Sequence, residues 1–279
     1  MVSTYTNEEW QRLIADVEKN LKIGESKKYD VPNVASTVDH TLLKLDSKSS
    51  QFDDLCNEAR RDQFGSVCVR PKWVRQCVEA LKGSGVNVAS VVGFHEGTYT
   101  LDEKLRDTKI SLEGGAAELD MVVNWPQLQK QEYDTIYAEL VAIRAAAPHP
   151  TLIKLILETS QLSDQQIIAG AVLASAAGLD FIKTASGFHG HGATLPHVRL
   201  MKAACEYLAR NSVPNTAAPN QMLVKASGGI RSLDDAIKML EAGASRLGTS
   251  GGVLIAQQAK ERAAGSSSTT GQAESSSEY

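Results

Sequence analysis

The sequence has few of the features that mark a secreted, membrane-spanning or nucleic-acid-binding protein. Its four cysteines form no C-x-x-C pair, and the N-terminus lacks the charged-then-apolar layout of a secretory signal. Free thiols without such a signal predict a reducing, cytoplasmic location. The apolar runs, such as Leu152–Leu157, are far too short to cross a bilayer. With 29 Lys and Arg against 33 Asp and Glu, no basic footprint for nucleic acid or an anionic membrane is expected.

Short apolar runs recur from residue 34 onward and alternate with longer segments of helical spacing. Eight runs are rich in Val, Ile and Leu: Val34–Val38, Ser66–Val69, Val88–Val92, Leu119–Val123, Leu152–Leu157, Phe181–Thr184, Met222–Val224 and Ser245–Leu247. Runs that are apolar on successive residues are typical of parallel strands covered on both faces, joined by right-handed helical crossovers. About 230 residues in eight such units is near the usual size of a TIM barrel. We predict an α/β fold, a TIM (β/α)8 barrel, with a doubly wound open sheet as the alternative.

The ends of the chain differ from the repeating part. One apolar stripe of helical spacing is formed by Trp10, Leu13, Ile14, Val17 and Leu21. It predicts an extra N-terminal helix lying against the main body. Residues 265–279 are almost devoid of apolar side chains, which predicts a disordered, flexible tail. The predicted organisation is one barrel domain over residues 1–264 followed by this tail.

Three lysines stand in strand runs where apolar residues are expected, namely Lys154, Lys183 and Lys225. Burial of an unpaired ammonium group is unfavourable and lowers its pKa. A lysine that is neutral near pH 7 is a nucleophile able to form a Schiff base with a carbonyl group. Because Asp120 and Asp39 occupy similar strand positions, a proton-shuttling site at the barrel mouth is predicted. The alternative is that each lysine ends its strand and extends into solvent.

Two glycine-rich segments predict a phosphate site. Ser227-Gly228-Gly229-Ile230-Arg231 directly follows the Lys225 strand, and Leu247-Gly248-Thr249-Ser250-Gly251-Gly252 follows the next strand. Glycine allows backbone N–H groups to approach an anion, and the N-terminus of the following helix adds positive potential. The loops after strands seven and eight are the usual phosphate site of a TIM barrel. Two ordinary tight turns are the alternative.

A metal site is the other chemistry that the sequence raises. His189-x-His191, with His197 beyond, offers imidazole ligands. No thiolate or carboxylate accompanies them at close spacing, and a glycine-rich loop is a poor rigid cage, so we expect no metal. Cys68, at the end of the second run, is expected to edge the pocket as a bystander, because no base can be assigned beside it.

Taken together, these segments closely resemble the deoxyribose-phosphate aldolase family. The segments that carry the resemblance run in order from about Val34 to Ile255: Val38-Asp39-His40-Thr41-Leu42-Leu43, Gly65-Ser66-Val67-Cys68-Val69, Glu118-Leu119-Asp120-Met121-Val122, Leu152-Ile153-Lys154-Leu155-Ile156-Leu157-Glu158-Thr159, Phe181-Ile182-Lys183-Thr184-Ala185-Ser186-Gly187-Phe188 and Val224-Lys225-Ala226-Ser227-Gly228-Gly229-Ile230-Arg231. The resemblance implies a class I aldolase that reversibly cleaves 2-deoxy-D-ribose 5-phosphate to acetaldehyde and D-glyceraldehyde 3-phosphate, in deoxyribonucleoside catabolism. It implies that no cofactor is needed. It implies small phosphosugar and aldehyde substrates, and a second copy of the chain in a homodimer, as the partners.

The resemblance also implies roles for particular residues. Lys183 would form the Schiff base, Lys225 would depress the pKa of Lys183, and Asp120 would relay protons. The substrate hydroxyls and a proton-relay water would be held by Asp39, Thr41 and Lys154, with Cys68 also in the substrate site. The phosphate would be held by Gly187, Gly228, Gly229, Gly248 and Ser250.

The chain departs from the family pattern in two loops, Asn124-Trp125-Pro126-Gln127 and His189-Gly190-His191-Gly192. The second could alter the affinity for the phosphorylated end. Some bacterial members finish in a polar tail with a terminal tyrosine. We therefore hypothesise that Tyr279 folds over the site and helps proton transfer. The alternative is a frayed tail with no role in catalysis. The functions left open are another class I phosphosugar aldolase, a phosphosugar isomerase or decarboxylase, and a non-catalytic phosphosugar-binding barrel.

Overall fold

The computed structural model of the protein describes residues 5–211 and 222–269. Within these residues eight parallel strands close into a barrel in chain order, with β8 hydrogen-bonded to β1. The strands are β1 Val38–Thr41, β2 Ser66–Val69, β3 Asn87–Val92, β4 Glu118–Val122, β5 Leu152–Ile156, β6 Phe181–Lys183, β7 Leu223–Ser227 and β8 Arg246–Thr249. The predicted TIM barrel is confirmed, and the open-sheet alternative is wrong.

Helices surround the barrel and join successive strands. They are α1 Asn7–Asn20, α2 Ser49–Asp62, α3 Val74–Leu81, α4 Leu101–Glu113, α5 Trp125–Gln129, α6 Tyr133–Ala146, α7 Asp164–Ala176, α8 Leu195–Arg210, α9 Leu233–Glu241 and α10 Gly252–Thr269. One large apolar core lies between the strands and this layer of helices, as burial of both sheet faces requires. No helix in the described ranges has the length and apolar character needed to cross a membrane.

The predicted strand positions hold better than the predicted strand ends. β2 has the predicted bounds, whereas β1 begins at Val38 and not at Val34. The residues before Val38 form two short 3-10 turns, Val31–Asn33 and Ala35–Thr37. An apolar run alone cannot separate a buried turn from a buried strand.

The N-terminal helix packs where the sequence predicts. α1 begins with a capping box between Thr6 and Glu9, which satisfies backbone N–H groups at its first turn. Its buried face is formed by Trp10, Ile14 and Val17, and the Trp10 ring lies 4.9 Å from the ring of Tyr137 on α6. The helix therefore packs against α6, α7 and α8 of the helical layer.

The end of the chain extends the last helix beyond the predicted domain boundary. α10 continues to Thr269, five residues into the segment predicted as a tail. Helical backbone hydrogen bonds can continue through such a polar segment. Residues 270–279, and with them the rest of the predicted tail and the Tyr279 hypothesis, lie outside the described residues.

Candidate active site

The barrel interior holds a cluster of charged side chains contributed by six strands. Four are cationic and three are carboxylates: Lys154, Lys183, Lys225, Arg246, Asp39, Glu118 and Asp120. Lys183 is 3% exposed, Lys154 and Lys225 are fully buried, and each contacts a carboxylate. The alternative in which these lysines extend into solvent is therefore wrong.

Strand register explains why residues so far apart in sequence meet. Lys183 of β6 is level with Lys225 of β7, and Asp120 of β4 is level with Lys154 of β5. Residues level with each other on neighbouring strands present their side chains to the same face of the sheet. In a closed barrel that face is the interior, so the charges converge on one volume.

Asp120 lies at the centre of the cluster and contacts all three lysines. Its Oδ2 atom accepts hydrogen bonds from Lys183 Nζ and Lys225 Nζ, each at 2.7 Å, while Oδ1 accepts from Lys154 Nζ at 2.9 Å. Burial alone would raise the pKa of Asp120, but Lys154, Lys183 and Lys225 together hold it well below its usual range. Asp120 is therefore a carboxylate at rest, hydrogen-bonded to all three lysines.

Two of the lysines are held as cations by several carboxylates. Lys225 Nζ lies 2.5 Å from Asp39 Oδ2 in addition to its contact with Asp120. Burial lowers the pKa of Lys225, yet Asp120 and Asp39 more than offset this and raise it overall. Lys154 has the same balance of causes: its Nζ lies 2.5 Å from Glu118 Oε2, and Asp120, Glu118 and Asp39 raise its pKa against the effect of burial.

Lys183 differs from the other two lysines in charge environment and in access. Among the described residues its one carboxylate contact is Asp120, which it shares with Lys154 and Lys225. Burial lowers the pKa of Lys183 and Lys225 lowers it further, and these effects outweigh the attraction of Asp120. Of the three lysines, Lys183 alone lines the cavity at the barrel mouth. It is therefore the amine most easily deprotonated and the one a substrate can reach.

Glu118 and Arg246 complete the cluster, and neither was predicted from the sequence. Arg246 Nη1 donates to Asp39 Oδ1 at 2.5 Å, and its Nη2 donates to Glu118 Oε1 at 2.8 Å. Arg246 and Glu118 thus fix Asp39 and Lys154 from beneath. One signal was available for Glu118: it lies two residues before Asp120, and alternate residues of a strand face the same side.

The loops at the carboxyl ends of the strands enclose a cavity of about 340 Å³ above this cluster. Its walls include Lys183 and six other residues that the sequence predicts for the site: Thr41, Gly187, Gly228, Gly229, Gly248 and Ser250. Two cationic side chains also line it, Lys44 and Arg231, and Arg231 belongs to a glycine-rich segment that predicts the phosphate site. The structure thus brings the predicted glycines and the candidate nucleophile to one cavity.

Two of these glycines are required by the local geometry. Gly228 has φ of 86°, a left-handed conformation that other residues rarely adopt. Gly248 lies against the charged cluster: a Cβ atom there would be 2.8 Å from Ser227 Cβ and 3.0 Å from Lys225 Cε. A side chain at position 248 would therefore displace Lys225.

Three residues predicted to hold substrate lie below the cavity lining. Asp39 and Lys154 are fully buried and engaged in ion pairs. Cys68 is also fully buried, with its Sγ 3.9 Å from Asp120 Oδ2. Burial, reinforced by Asp120, raises the pKa of Cys68 to about 11, so it is a protonated thiol. Direct contact of these three residues with substrate stays a prediction.

Comparison with known proteins agrees with this architecture. A model of the DeoC/LacD family aldolases matches residues 33–259. The chain is 42% identical over 269 residues to the deoxyribose-phosphate aldolase of Coccidioides immitis, covering 93% of this chain and 94% of the relative. A crystal structure of a Coccidioides immitis protein described as the same enzyme superposes with a TM-score of 0.86 at 43% identity, covering 93% of this chain and all of that one.

A more distant structure shows the same fold in a larger assembly. The tetrameric deoxyribose-phosphate aldolase of Aeropyrum pernix superposes with a TM-score of 0.73 at 28% identity, over 90% of this chain and 98% of that one. The family match covers the whole barrel and all the charged residues described above. On these grounds the chain belongs to the DeoC/LacD family of aldolases.

Proposed function

We propose that the protein is a class I deoxyribose-phosphate aldolase, which reversibly cleaves 2-deoxy-D-ribose 5-phosphate to acetaldehyde and D-glyceraldehyde 3-phosphate. The observation that carries the proposal is Lys183, a buried amine with a lowered pKa that opens onto the cavity. Its surroundings provide what a Schiff-base nucleophile requires: an amine whose pKa is lowered and a carboxylate within proton-transfer distance. The names of the relatives support the choice of substrate.

The first stage joins the substrate aldehyde to Lys183. The neutral amine attacks C1 of the open-chain sugar, and the resulting carbinolamine loses water to give a protonated imine. These steps move protons to and from the Lys183 nitrogen and the substrate oxygen. Asp120, whose Oδ2 is 2.7 Å from Lys183 Nζ, is placed to accept and return them, and Lys225 on the same oxygen is placed to donate.

The second stage breaks the C2–C3 bond. A base removes the proton of the C3 hydroxyl, the electrons of the C2–C3 bond move toward the imine, and glyceraldehyde 3-phosphate departs. The enamine that remains is neutral, takes a proton at C2, and is hydrolysed to acetaldehyde. With four cationic groups facing three carboxylates, an iminium ion leaves the cluster with excess positive charge. The cluster therefore favours electron flow into the imine.

The phosphate end of the substrate is assigned to the part of the cavity lined by the glycine-rich loops after β7 and β8. Gly228 and Gly229 precede α9, and Gly248 and Ser250 precede α10, so both loops lead into helix N-termini. Lys44 and Arg231 on the same cavity provide two positive charges for a dianion. This arrangement supports a phosphorylated sugar over an unphosphorylated one.

The test is a substrate comparison with the purified protein. We expect acetaldehyde and glyceraldehyde 3-phosphate, measured by separate coupled assays, from 2-deoxy-D-ribose 5-phosphate, with far lower kcat/KM for 2-deoxy-D-ribose and for fructose 1,6-bisphosphate. Lys183→Met should abolish turnover while circular dichroism shows an intact fold. Faster cleavage of fructose 1,6-bisphosphate would identify another class I aldolase, and binding of the pentose phosphate without cleavage would identify a phosphosugar-binding barrel.

We also propose that the enzyme works as a homodimer in the cytoplasm. The family resemblance supports the dimer, and the four buried free thiols support a reducing compartment. Light scattering on the 30.0 kDa chain should give roughly 60 kDa. A monomer would contradict the dimer, as would a tetramer like that of the Aeropyrum pernix relative.

A further inference from the structure

Two loops at the carboxyl ends of the strands bring two imidazoles and a carboxylate together beside the cavity. His95 and Glu96 lie between β3 and α4, and His189 lies between β6 and α8. His95 Nδ1 is 3.1 Å from His189 Nε2 and 3.1 Å from Glu96 Oε1, and His189 Nε2 is 3.5 Å from Glu96 Oε2. These three residues form the one such group of possible metal ligands in the described ranges.

One donor atom from each of the three side chains lies within 4.8 Å of the other two, close enough for all three to reach a single ion. Ligands held at about 2.0–2.1 Å around a tetrahedral zinc ion lie about 3.3 Å from one another. The two imidazole nitrogens are 3.1 Å apart, and each lies near a different oxygen of Glu96, at 3.1 and 3.5 Å, so all three distances are close to that value. His95 and His189 are each about a quarter exposed and Glu96 about half, so solvent reaches the cluster.

We propose that His95, Glu96 and His189 bind a divalent transition metal of the zinc class, with water as the fourth ligand. Two imidazoles and one carboxylate suit Zn²⁺, Co²⁺ or Ni²⁺, whereas Mg²⁺ and Ca²⁺ prefer oxygen ligands throughout. The site is separate from the Schiff-base chemistry, which needs no metal. It also revises the expectation from sequence, because the missing carboxylate comes from a loop 93 residues away from His189 and not from the His189–His191 segment itself.

A metal at this position would tie together the loops that shape the cavity. The ring of Phe188 stacks on His95 with centroids 4.5 Å apart, and Phe188 lines the cavity directly after Gly187. Linking His95 to His189 would hold Phe188 between them and restrict the loop that carries Gly187. The expected consequence is a more rigid cavity wall, with no new chemical step.

The test uses the untagged full-length protein, first stripped with a chelator. Titration with Co²⁺ should give one equivalent of binding and the intense visible absorption of four-coordinate cobalt, and Zn²⁺ should displace the Co²⁺. His95→Ala and His189→Ala should each weaken Zn²⁺ binding by about 100-fold, at the upper end of what the loss of a supporting contact causes. Hydrogen exchange over residues 186–192 should slow when Zn²⁺ is added to the wild type.

His191→Ala is the matched control, because this residue lies in the same loop but its Nδ1 contacts its own neighbour, Gly192 O, at 3.0 Å. Its Zn²⁺ affinity should stay within about threefold of the wild type, a change well below the loss of a ligand. Glu96→Gln provides a third ligand change at a half-exposed position that does not threaten folding. Absence of stoichiometric binding in the wild type would overturn the proposal and leave a metal-free hydrogen-bonded cluster. Equal weakening in His191→Ala and His189→Ala would overturn it as well.

Discussion

Replacing Lys225 with methionine tests the claim that Lys225 lowers the pKa of Lys183 and so makes Lys183 reactive. Lys225 and Lys183 share Asp120 Oδ2, each at 2.7 Å, so their nitrogens lie no more than about 5.4 Å apart. The variant should still fold, because no carboxylate is left unpaired: Asp39 keeps Arg246, and Asp120 keeps Lys154 and Lys183. What changes is the charge beside Lys183.

The size of the effect follows from the distance. Two positive charges about 5.4 Å apart repel by about 3 kcal/mol at an effective dielectric constant of about 20. Removing Lys225 relieves this repulsion in the protonated form of Lys183, so the pKa of Lys183 rises. Because about 1.4 kcal/mol corresponds to a tenfold change, the fraction of neutral Lys183 at a fixed pH below its pKa falls on the order of 100-fold.

The assay is kcat/KM for 2-deoxy-D-ribose 5-phosphate across a range of pH. Since only neutral Lys183 attacks the aldehyde, the acid limb of the Lys225→Met profile should move to higher pH. The control is Lys104→Met with Glu139→Leu, which removes together a buried ion pair of 2.6 Å outside the cavity lining. Its acid limb should stay in place. A Lys225→Met profile that is lower at every pH but unshifted would refute the coupling.

Three further substitutions have definite expected outcomes. Cys68→Ala should keep kcat within about threefold of the wild type, and iodoacetamide near neutral pH should not inactivate the enzyme, because burial raises the pKa of this thiol to about 11; rapid inactivation that Cys68→Ala abolishes would contradict this. Gly248→Ala should lower kcat/KM at least about tenfold and destabilise the fold by about 1–3 kcal/mol in urea, since its Cβ would meet Ser227 and Lys225; wild-type kinetics would contradict it. Trp10→Ala, at a 1% exposed site, should destabilise by about 3–5 kcal/mol with kcat unchanged; a lowered kcat would place α1 in the site.

The fold was predictable because each βα unit repeats the same local signals. Apolar runs located all eight strands, as the structure confirms. The helices between them also begin with local signals: capping boxes at Ser163 and Ser232 start α7 and α9. The boundaries were less predictable. Val34 is as buried as a strand residue, yet it lies at a 3-10 turn, and nothing in its own side chain separates the two cases.

The candidate site was predictable where charge interrupts an apolar run. Lys154, Lys183 and Lys225 stand out because their neighbours in sequence are Val, Ile, Leu and Phe, and burial then forces each to find a carboxylate. Glu118 and Arg246 were not predicted as site residues, because they are the first residues of β4 and β8 and charged residues are common at the ends of strands.

Residues brought together from distant loops could not be predicted at all. The approach of His95 to His189 depends on how two loops fold over the barrel mouth, and residues 94 apart in sequence carry no periodic signal of contact. The burial of Lys104 in α4 could not be predicted from the sequence either. Lys104 is fully buried against Glu139, whereas a lysine on an amphipathic helix is usually assigned to the solvent face.

The central claim, that Lys183 is the Schiff-base nucleophile, is tested most directly by trapping the imine. Incubation with acetaldehyde and sodium borohydride, followed by peptide mass spectrometry, should place a single ethyl group on Lys183, with loss of activity in proportion to labelling. Lys225 and Lys154 should stay unmodified, because neighbouring carboxylates hold both as cations. An adduct on Lys225 in place of Lys183, or no adduct on a folded and active enzyme, would contradict the account.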